Sequence, residues 1–483
     1  MRNLVCALLL LFLPHALRAQ SPLTYQLAYA APGDTRVRIA IIFPEPLNTP
    51  VALVMPRTYP GGYEQVPYDS FVEQLHALSS TEKSVSIARE TDGPRWTIGE
   101  KGEHLQRIEY QVDLAQMESR ILSAVETSKV RPRYLGLLGY SVFAFIDGLE
   151  NQKINLRITA PPSWPILTTL DPQVPAPAST TEASAADFYA LADSQILMGP
   201  DLQLQRFPGK TPLILAVYSE TAEDLDIDGQ LARQALDRVQ TYFGDTPFRQ
   251  YTVQLELLRP FPGHDYGFSQ EHLDSGTFSF STDRAITAQS PQPARDVNLF
   301  NYAHHMAHSW IPKRAYGIGY LPFTWEMTPV IDTIWFNEGF ARYAAIEAVA
   351  QGLPPQEAAA FRAQQLARLR HVLDTAPPFL RNMSLDVLSR EASFLYASDF
   401  RTGMNVFARG ALMAAEMDDY IRAKTAGKKS LQDALQALLI WSAQNHRAFR
   451  TEELPQIFQA ATTVDVTAIL TRWLNPPAEL TPW

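Results

Sequence analysis

The sequence predicts a multidomain α+β protein in which an all-β domain is followed by a mixed, mostly helical domain. Apolar and polar residues alternate in several segments up to about residue 160, as they do in half-buried strands. From Thr221 onward the apolar period becomes helical. A chain of 483 residues with 46% hydrophobic side chains can bury more than one core, so we expect two or three domains.

Segment 1–19 has the pattern of a secretory signal peptide. Arg2 provides a basic start, the run from Leu4 to Leu13 is apolar, and Ala19 is a small residue suited to cleavage directly after it. The run is too short to cross a membrane, so we expect an exported product, periplasmic or secreted, without stable membrane insertion. A buried N-terminal helix is the alternative interpretation.

The composition argues against some partners and chemistries. The only cysteine, Cys6, lies in the predicted leader, so the mature chain would form no disulfide, which is compatible with a bacterial periplasm. Lysine and arginine number 41 against 51 aspartates and glutamates, which gives a formal net charge of −10. An acidic balance of this size argues against nucleic acid or anionic lipid as a partner.

Strand-like segments fill the N-terminal domain, which we place at residues 20–218. The clearest period-two segments are 36–43, 107–114 and 153–159. Segment 171–187 is rich in Pro, Ala, Ser and Thr, and we interpret it as a surface loop or linker. Segment 211–219 is strand-like and either closes the first domain or opens the second.

Helical segments dominate the second domain, which we place at residues 219–483. Segment 222–244 has acidic residues in its first turn and Gly244 at its end, as the helix dipole and the glycine C-cap favour. A strand is expected at 251–258. Further helices are predicted at 355–374, 405–424 and 431–443, the last of them opened by a capping box of Ser430 and Asp433.

Two histidines and a glutamate in the second domain have the spacing of a metal site. His304 and His308 stand four residues apart, so on a helix their imidazoles share one face and can converge on one ion. After 29 intervening residues, Glu338 could add a carboxylate ligand and leave a fourth position open. A His-x-x-x-His pair alone often arises by chance, and the added glutamate motif makes the signal specific.

These motifs resemble those of the glycyl aminopeptidase family of zinc metallopeptidases, which belongs to the gluzincin group and is related to aminopeptidase N. HHMAHSWIPKR (304–314) resembles the family's H-E-x-x-H-[ST]-W-N-x-K-R, and WFNEGFARY (335–343) resembles W-x-x-E-G-F-[TS]-x-Y. MPRTYPGGY (55–63) resembles the family's P-x-x-x-P-G-x-Y. The resemblance implies a thermolysin-like, mostly helical metallopeptidase domain, and it stops where members commonly continue into a PDZ domain.

Carried over position by position, the resemblance implies one zinc ion held by His304, His308 and Glu338. GFSQEH (267–272) resembles the family's G-G-L-E-H, so Glu271 would hold the free amino terminus of a peptide. A solvated loop carboxylate is the alternative for Glu271. The implied partners are peptide or protein N-termini, and no protein partner can be named.

Three positions depart from the family pattern. His305 stands where the family has its general-base glutamate, and Ile311 replaces the asparagine after the helix. Phe407 replaces the tyrosine of Y-x-x-G, which is expected to donate a hydrogen bond to the oxyanion. Losing a general base costs about 10²–10⁴ in rate, and losing an oxyanion donor costs about 10²–10³. Metal ligands retained without these two groups are typical of a pseudo-enzyme.

His305 has three open interpretations. A neutral imidazole could replace the glutamate as base, although a nearby metal would depress its pKa. It could bind the metal, although adjacent helical residues point about 100° apart, or it could simply line the pocket. The sequence therefore predicts a zinc- and peptide-binding protein with lost or impaired hydrolysis. The alternatives are an active aminopeptidase with His305 as base and a metal-free scaffold or interaction protein.

Overall fold

The computed structural model describes residues 21–121, 123–171, 179–260 and 266–475. The predicted leader and residues 172–178 of the predicted loop lie outside these residues. No helix within the described ranges is long and apolar enough to cross a membrane. The described residues cover most of the predicted mature chain.

The N-terminal part is built mainly from strands, as the period-two alternation predicts. The predicted strands 36–43, 107–114 and 153–159 are present as the second, seventh and eleventh strands of the chain. In order, the strands are β1 (Leu23–Ala28), β2 (Arg36–Asn48), β3 (Val51–Val54), β4 (Val72–Leu78), β5 (Ile87–Arg89), β6 (Arg95–Ile98), β7 (His104–Asp113), β8 (Lys129–Arg131), β9 (Tyr134–Leu138), β10 (Phe145–Ile146), β11 (Ile154–Thr159), β12 (Ile166–Thr168), β13 (Thr180–Ala185) and β14 (Gln195–Met198).

These strands form three sheets around one apolar core. The six-stranded sheet has the order β13-β11-β1-β2-β7-β4, and the two four-stranded sheets have the orders β10-β3-β6-β5 and β12-β14-β9-β8. β1 pairs parallel with β11 and antiparallel with β2, with Tyr25 opposite Ile41. Alternate residues of β1 are buried, and they join residues of both smaller sheets, such as Trp96 and Leu137, in the same core.

Part of the segment interpreted as a loop is a strand. β13 pairs antiparallel with β11 at the edge of the large sheet, with Ala185 opposite Ile154, so the loop interpretation of 171–187 is wrong for 180–185. The strand has the sequence TTEASA and buries only Ala185. This edge strand is held mainly by backbone pairing. Because it buries so little apolar surface, its sequence shows no hydrophobic alternation that could be detected.

The second part of the chain begins with a five-stranded sheet. Its order is β15-β16-β17-β19-β18, with the middle three strands parallel and both edge strands antiparallel. The predicted strand at 211–219 lies in this sheet beside an earlier strand, so the sheet starts before residue 219, where we place the start of the second domain. The strands are β15 (Gln203–Phe207), β16 (Leu213–Ser219), β17 (Tyr251–Leu258), β18 (Gly267–Glu271) and β19 (Ser275–Ser281).

Helices make up most of the remaining chain, and the long predicted helices are present. The first three helices in the list below are short and lie in the N-terminal part. The segment predicted at 222–244 is helical and ends at Gly244, whose φ of 79° is left-handed. Ser430 and Asp433 form the predicted capping box. The helices are α1 (Leu114–Arg120), α2 (Gly139–Val142), α3 (Phe188–Ala192), α4 (Leu225–Phe243), α5 (Gln292–Ala307), α6 (Ala341–Gln351), α7 (Pro355–Thr375), α8 (Pro378–Arg381), α9 (Leu385–Leu395), α10 (Phe400–Lys424), α11 (Leu431–Asn445), α12 (Leu454–Thr462) and α13 (Thr467–Leu474).

Two glycines allow α10 to approach the turn that precedes α6. A side chain on Gly339 would collide with the backbone of Gly410, and one on Gly410 would collide with the carbonyl oxygen of Trp335. Because neither glycine has a Cβ atom, the two backbones touch. This contact fixes the position of Phe407, which lies one helical turn before Gly410.

Candidate metal centre

The two predicted histidine ligands stand at the C-terminal end of α5. The buried face of this helix, including Tyr302, packs into the core of the second part, and His304 is buried with it. His308 follows as the C-cap residue, and its Nδ1 donates to the carbonyl oxygen of Ile311 at 2.9 Å. In the neutral ring, this hydrogen bond places the lone pair of His308 on Nε2. A backbone carbonyl accepts the bond, so the departure at Ile311 does not remove it.

Glu338 is brought to these histidines by a π-helical turn, Trp335–Phe340, that leads into α6. Turns of this kind are frequent at functional sites. Oε2 of Glu338 lies 3.4 Å from Nε2 of His308. Oε1 accepts a hydrogen bond of 2.7 Å from the hydroxyl of Tyr63. Tyr63 belongs to the N-terminal part, so the glutamate is oriented across the junction between the two parts.

The three residues offer a donor set that fits a divalent transition-metal ion. One ligand atom from each of His304, His308 and Glu338 lies within 4.8 Å of the other two. All three residues are buried, and His304 Nδ1 and His308 Nε2 have no hydrogen-bond partner among the described residues. Buried polar atoms without partners are uncommon, and a bound ion would satisfy these two nitrogens. Two imidazoles and one carboxylate are a donor set of catalytic zinc sites.

Buried carboxylates determine the protonation of His308. Burial lowers the pKa of His308, but the carboxylates of Glu271 and Glu338 outweigh burial and raise the pKa to about 9. Burial lowers the pKa of His304 well below its ordinary value, and the neighbouring His308 adds to this effect. His304 is therefore neutral, which is the form that binds a metal. The carboxylates of Glu271 and Glu338 can balance a positive charge at His308.

Glu271, the predicted anchor of an amino terminus, ends β18 in the wall of the same cavity. Burial raises the pKa of Glu271 to about 7; His308 opposes this shift and Glu338 adds to it. The carboxylate lies against Gly61, where a side chain would collide with it. Gly61 has a φ of 95°, which also favours glycine. Oε1 of Glu271 has no hydrogen-bond partner in the described part of the chain.

A buried ion-pair network behind Glu271 joins the two parts of the protein. Asp193, which follows α3, lies 3.2 Å from Nδ1 of His272 and 3.1 Å from Nζ of Lys313. Nε2 of His272 lies 3.1 Å from the hydroxyl of Thr277. Both ring nitrogens of His272 are therefore engaged, and this histidine supports the adjacent Glu271.

His305, at the predicted general-base position, lines the cavity. Its Nδ1 lies 4.0 Å from Oε2 of Glu271, and the edge of Phe278 packs against its ring with centroids 5.5 Å apart. Burial lowers the pKa of His305 well below its ordinary value, with a further contribution from His308. The general-base position therefore holds a neutral imidazole of low basicity.

Phe407 lies at the predicted oxyanion position on α10. It lines the cavity with His308 and Glu338, and its ring centroid is 5.8 Å from that of His304. A phenyl ring has no hydrogen to donate to an oxyanion. Tyr396 packs beside Phe407 with ring centroids 5.8 Å apart and also lines the cavity.

The cavity has a volume of about 490 Å³ and walls from both parts of the protein. Sequence reasoning missed Tyr63 and Tyr396 as wall residues. Tyr63 had a signal, because it ends the segment YPGGY that carried the family resemblance, but no role was attached to it. Tyr396 lies in no recognised motif, and only the packing of the segment before α10 brings it to the cavity.

Comparisons with known proteins agree with this architecture. Residues 24–200 match the Peptidase M61 N-terminal domain, and no curated protein sequence matches the chain. An aminopeptidase N family protein from Idiomarina loihiensis has a similar structure, with a TM-score of 0.83 and 18% identity over 94% of this chain and 76% of that chain. An M1 zinc metallopeptidase from Deinococcus radiodurans has a TM-score of 0.56 and 15% sequence identity, over 95% of this chain and 94% of that chain. Native yeast LTA4 hydrolase has a TM-score of 0.56 and 12% sequence identity, over 96% of this chain and 69% of that chain.

These similarities confirm two sequence predictions. Residues 24–200 match the Peptidase M61 N-terminal domain, and the chain as a whole has an α+β fold similar to that of aminopeptidase N family proteins and M1 zinc metallopeptidases. The predicted resemblance to the glycyl aminopeptidases and their aminopeptidase N relatives is thereby confirmed, as is the predicted fold class.

Proposed function

We propose that this is an exported, metallopeptidase-like protein that holds one zinc ion and binds peptide or protein N-termini, with hydrolysis lost or strongly impaired. The proposed zinc ligands are His304, His308 and Glu338. The proposal rests on a contrast within one cavity. Buried metal donors with unpartnered nitrogens lie beside a general-base position occupied by His305 and an oxyanion position occupied by Phe407. Export rests on the leader pattern at residues 1–19.

Binding of an amino terminus is supported by the surroundings of Glu271. The carboxylate is buried, has one unpartnered oxygen and borders the cavity. An α-ammonium group would satisfy that oxygen and would offset the mutual repulsion of Glu271 and Glu338. A blocked amino terminus carries no charge and would leave the same oxygen unpaired, which gives discrimination between the two.

Impaired hydrolysis is supported by the two residues that would have to handle the proton and the oxyanion. A bound zinc ion would supply Lewis-acid polarisation and activation of water. His305 would then have to accept a proton, and its lowered pKa makes it a poor base. Phe407 cannot donate a hydrogen bond. The two losses cost about 10²–10⁴ and about 10²–10³ in rate.

A metal-free scaffold is a second candidate, and one contact favours it. Nε2 of His308 lies 3.4 Å from Oε2 of Glu338, and the pKa of His308 is raised to about 9. A protonated His308 can therefore balance the buried carboxylate without an ion. An active peptidase with His305 as its base is favoured only by the position of that side chain on the cavity wall.

Zinc content, peptide binding and turnover measured on one preparation test the proposal. We expect about one zinc per chain, loss of that zinc in His308→Ala, and negligible turnover of glycyl or alanyl substrates. A peptide with a free amino terminus should bind more tightly than its acetylated form, and Glu271→Gln should reduce this difference. A wild-type protein that takes up no zinc even when zinc is added would favour the scaffold instead.

A further inference from the structure

His305 completes a second set of metal-binding atoms in the cavity. One ligand atom from each of Glu271, His305 and His308 lies within 4.8 Å of the other two. This set shares His308 with the set that includes His304 and Glu338. In the second set, position 305 offers an imidazole nitrogen where the family pattern has a glutamate.

The atoms of the second set are buried without satisfying one another. His305 Nδ1, Glu271 Oε1 and His308 Nε2 have no hydrogen-bond partner among the described residues. His305 Nδ1 and Glu271 Oε2 are 4.0 Å apart, which is too long for a hydrogen bond. Tetrahedral zinc ligands about 2 Å from the ion stand about 3.3 Å apart, so a movement of less than about 1 Å by these two side chains lets both atoms contact one ion.

We infer that this chain has a second, mutually exclusive zinc position formed by Glu271, His305 and His308. Only one of the two positions can be filled at a time, because His308 offers a single nitrogen. Its Nδ1 donates to the carbonyl oxygen of Ile311 at 2.9 Å, so Nε2 alone is available to either position.

The second position has a consequence for peptide binding. This consequence rests on the proposed function, in which Glu271 pairs with a peptide's amino terminus. An ion at the second position occupies the Glu271 carboxylate, so the peptide and this ion compete. The peptide then binds only the fraction of protein whose ion lies at the first position. Its apparent affinity is the intrinsic affinity multiplied by that fraction.

Zinc affinity measured by competition with a chromophoric chelator tests the second position directly. His304→Ala should still bind zinc, more weakly than wild type, because the second set remains. The double variant His304→Ala with His305→Ala should lose this residual binding. His308→Ala removes the shared ligand and serves as the control that lacks both positions. Circular dichroism and thermal unfolding establish that each variant is folded.

Peptide affinity provides a second test that does not depend on His304→Ala. Zinc-loaded His305→Ala should bind a peptide with a free amino terminus more tightly than zinc-loaded wild type. The difference is about twofold if half of the wild-type ions occupy the second position. The acetylated peptide, which does not need Glu271, should show no such gain.

The outcomes separate this inference from the proposed function. If wild type binds zinc but folded His304→Ala binds none, the second position does not exist and the first is unaffected. The inference is also overturned if the double variant binds zinc as well as His304→Ala does, or if His305→Ala leaves peptide affinity unchanged. A wild type that binds no zinc at all contradicts the proposed function and this inference together.

Discussion

Restoring the two missing groups should convert the cavity into a working peptidase site. His305→Glu supplies a carboxylate base, and Phe407→Tyr supplies a hydroxyl at the oxyanion position. The first gain is about 10²–10⁴ in rate and the second about 10²–10³. At about 1.4 kcal/mol per factor of ten, these correspond to barriers lower by about 3–6 and about 3–4 kcal/mol. Both groups act on one transition state, so each single variant should recover less than the pair.

The structure indicates that the first gain will be limited at neutral pH. Position 305 lies next to Glu271, with 4.0 Å between His305 Nδ1 and Glu271 Oε2, and the pKa of Glu271 is already raised to about 7 by burial. Two carboxylates about 4 Å apart repel by about 4 kcal/mol at an effective dielectric constant of 20. The pair would therefore retain a proton near neutrality, and the activity of the variant should rise with pH as that proton is lost.

The assay uses zinc-loaded protein and chromogenic alanyl and glycyl substrates. His305→Gln is the matched control, because the amide has the size of the glutamate and cannot act as a base. We expect negligible turnover in wild type and in the control, and the highest rate in the double variant. The reasoning is refuted if wild type hydrolyses these substrates at ordinary aminopeptidase rates and His305→Ala abolishes that activity without metal loss. A zinc-loaded double variant no faster than the control would refute it as well.

Three further predictions concern other residues. Tyr63→Phe removes the hydrogen bond to Glu338 and should weaken zinc affinity by about 10- to 100-fold in chelator competition, whereas an unchanged affinity would contradict an orienting role. Burial raises the pKa of Asp228 to about 6, so ionisation of this carboxyl destabilises the fold as pH rises from about 4 to 6. Asp228→Asn should therefore stabilise the protein by up to about 3 kcal/mol at pH 8 in urea unfolding but not at pH 4. Intact-mass analysis of exported protein should give a chain that starts near Gln20.

The fold class and the long elements were predictable because burial imposes a period on the sequence. β2, with alternating buried residues, and α4, with its acidic first turn and Gly244, show the expected signals. Two features gave no such signal. β13 buries one residue, and β16 is buried along almost its whole length, so its apolar run does not show which sheet it joins.

The candidate site was predictable only where its geometry is local. The spacing of His304 and His308 is a property of one helix, and the glutamate motif lies a short distance along the chain. Tyr63 is 275 residues from Glu338 in sequence, yet their side chains are hydrogen-bonded. No periodicity encodes such a contact, because it depends on how the two parts of the protein pack.

In the proposed function the metal donors are kept and the catalytic groups are lost, and the pairing of the buried donors explains how both can hold. The side chains of His308 and Glu338 are 0% and 5% exposed and face each other, so removing one would leave the other as an unbalanced buried charge. Such a loss costs about 3–5 kcal/mol, a large part of a typical stability of about 5–15 kcal/mol. His305 is 14% exposed and borders the cavity, and Phe407 adds an apolar ring to the cavity wall. Neither His305 nor Phe407 holds a charge partner at hydrogen-bonding distance, so substitution at these two positions avoids the cost of leaving a buried charge unbalanced. Retained donors are therefore not evidence of turnover, and loss of turnover does not require loss of the metal.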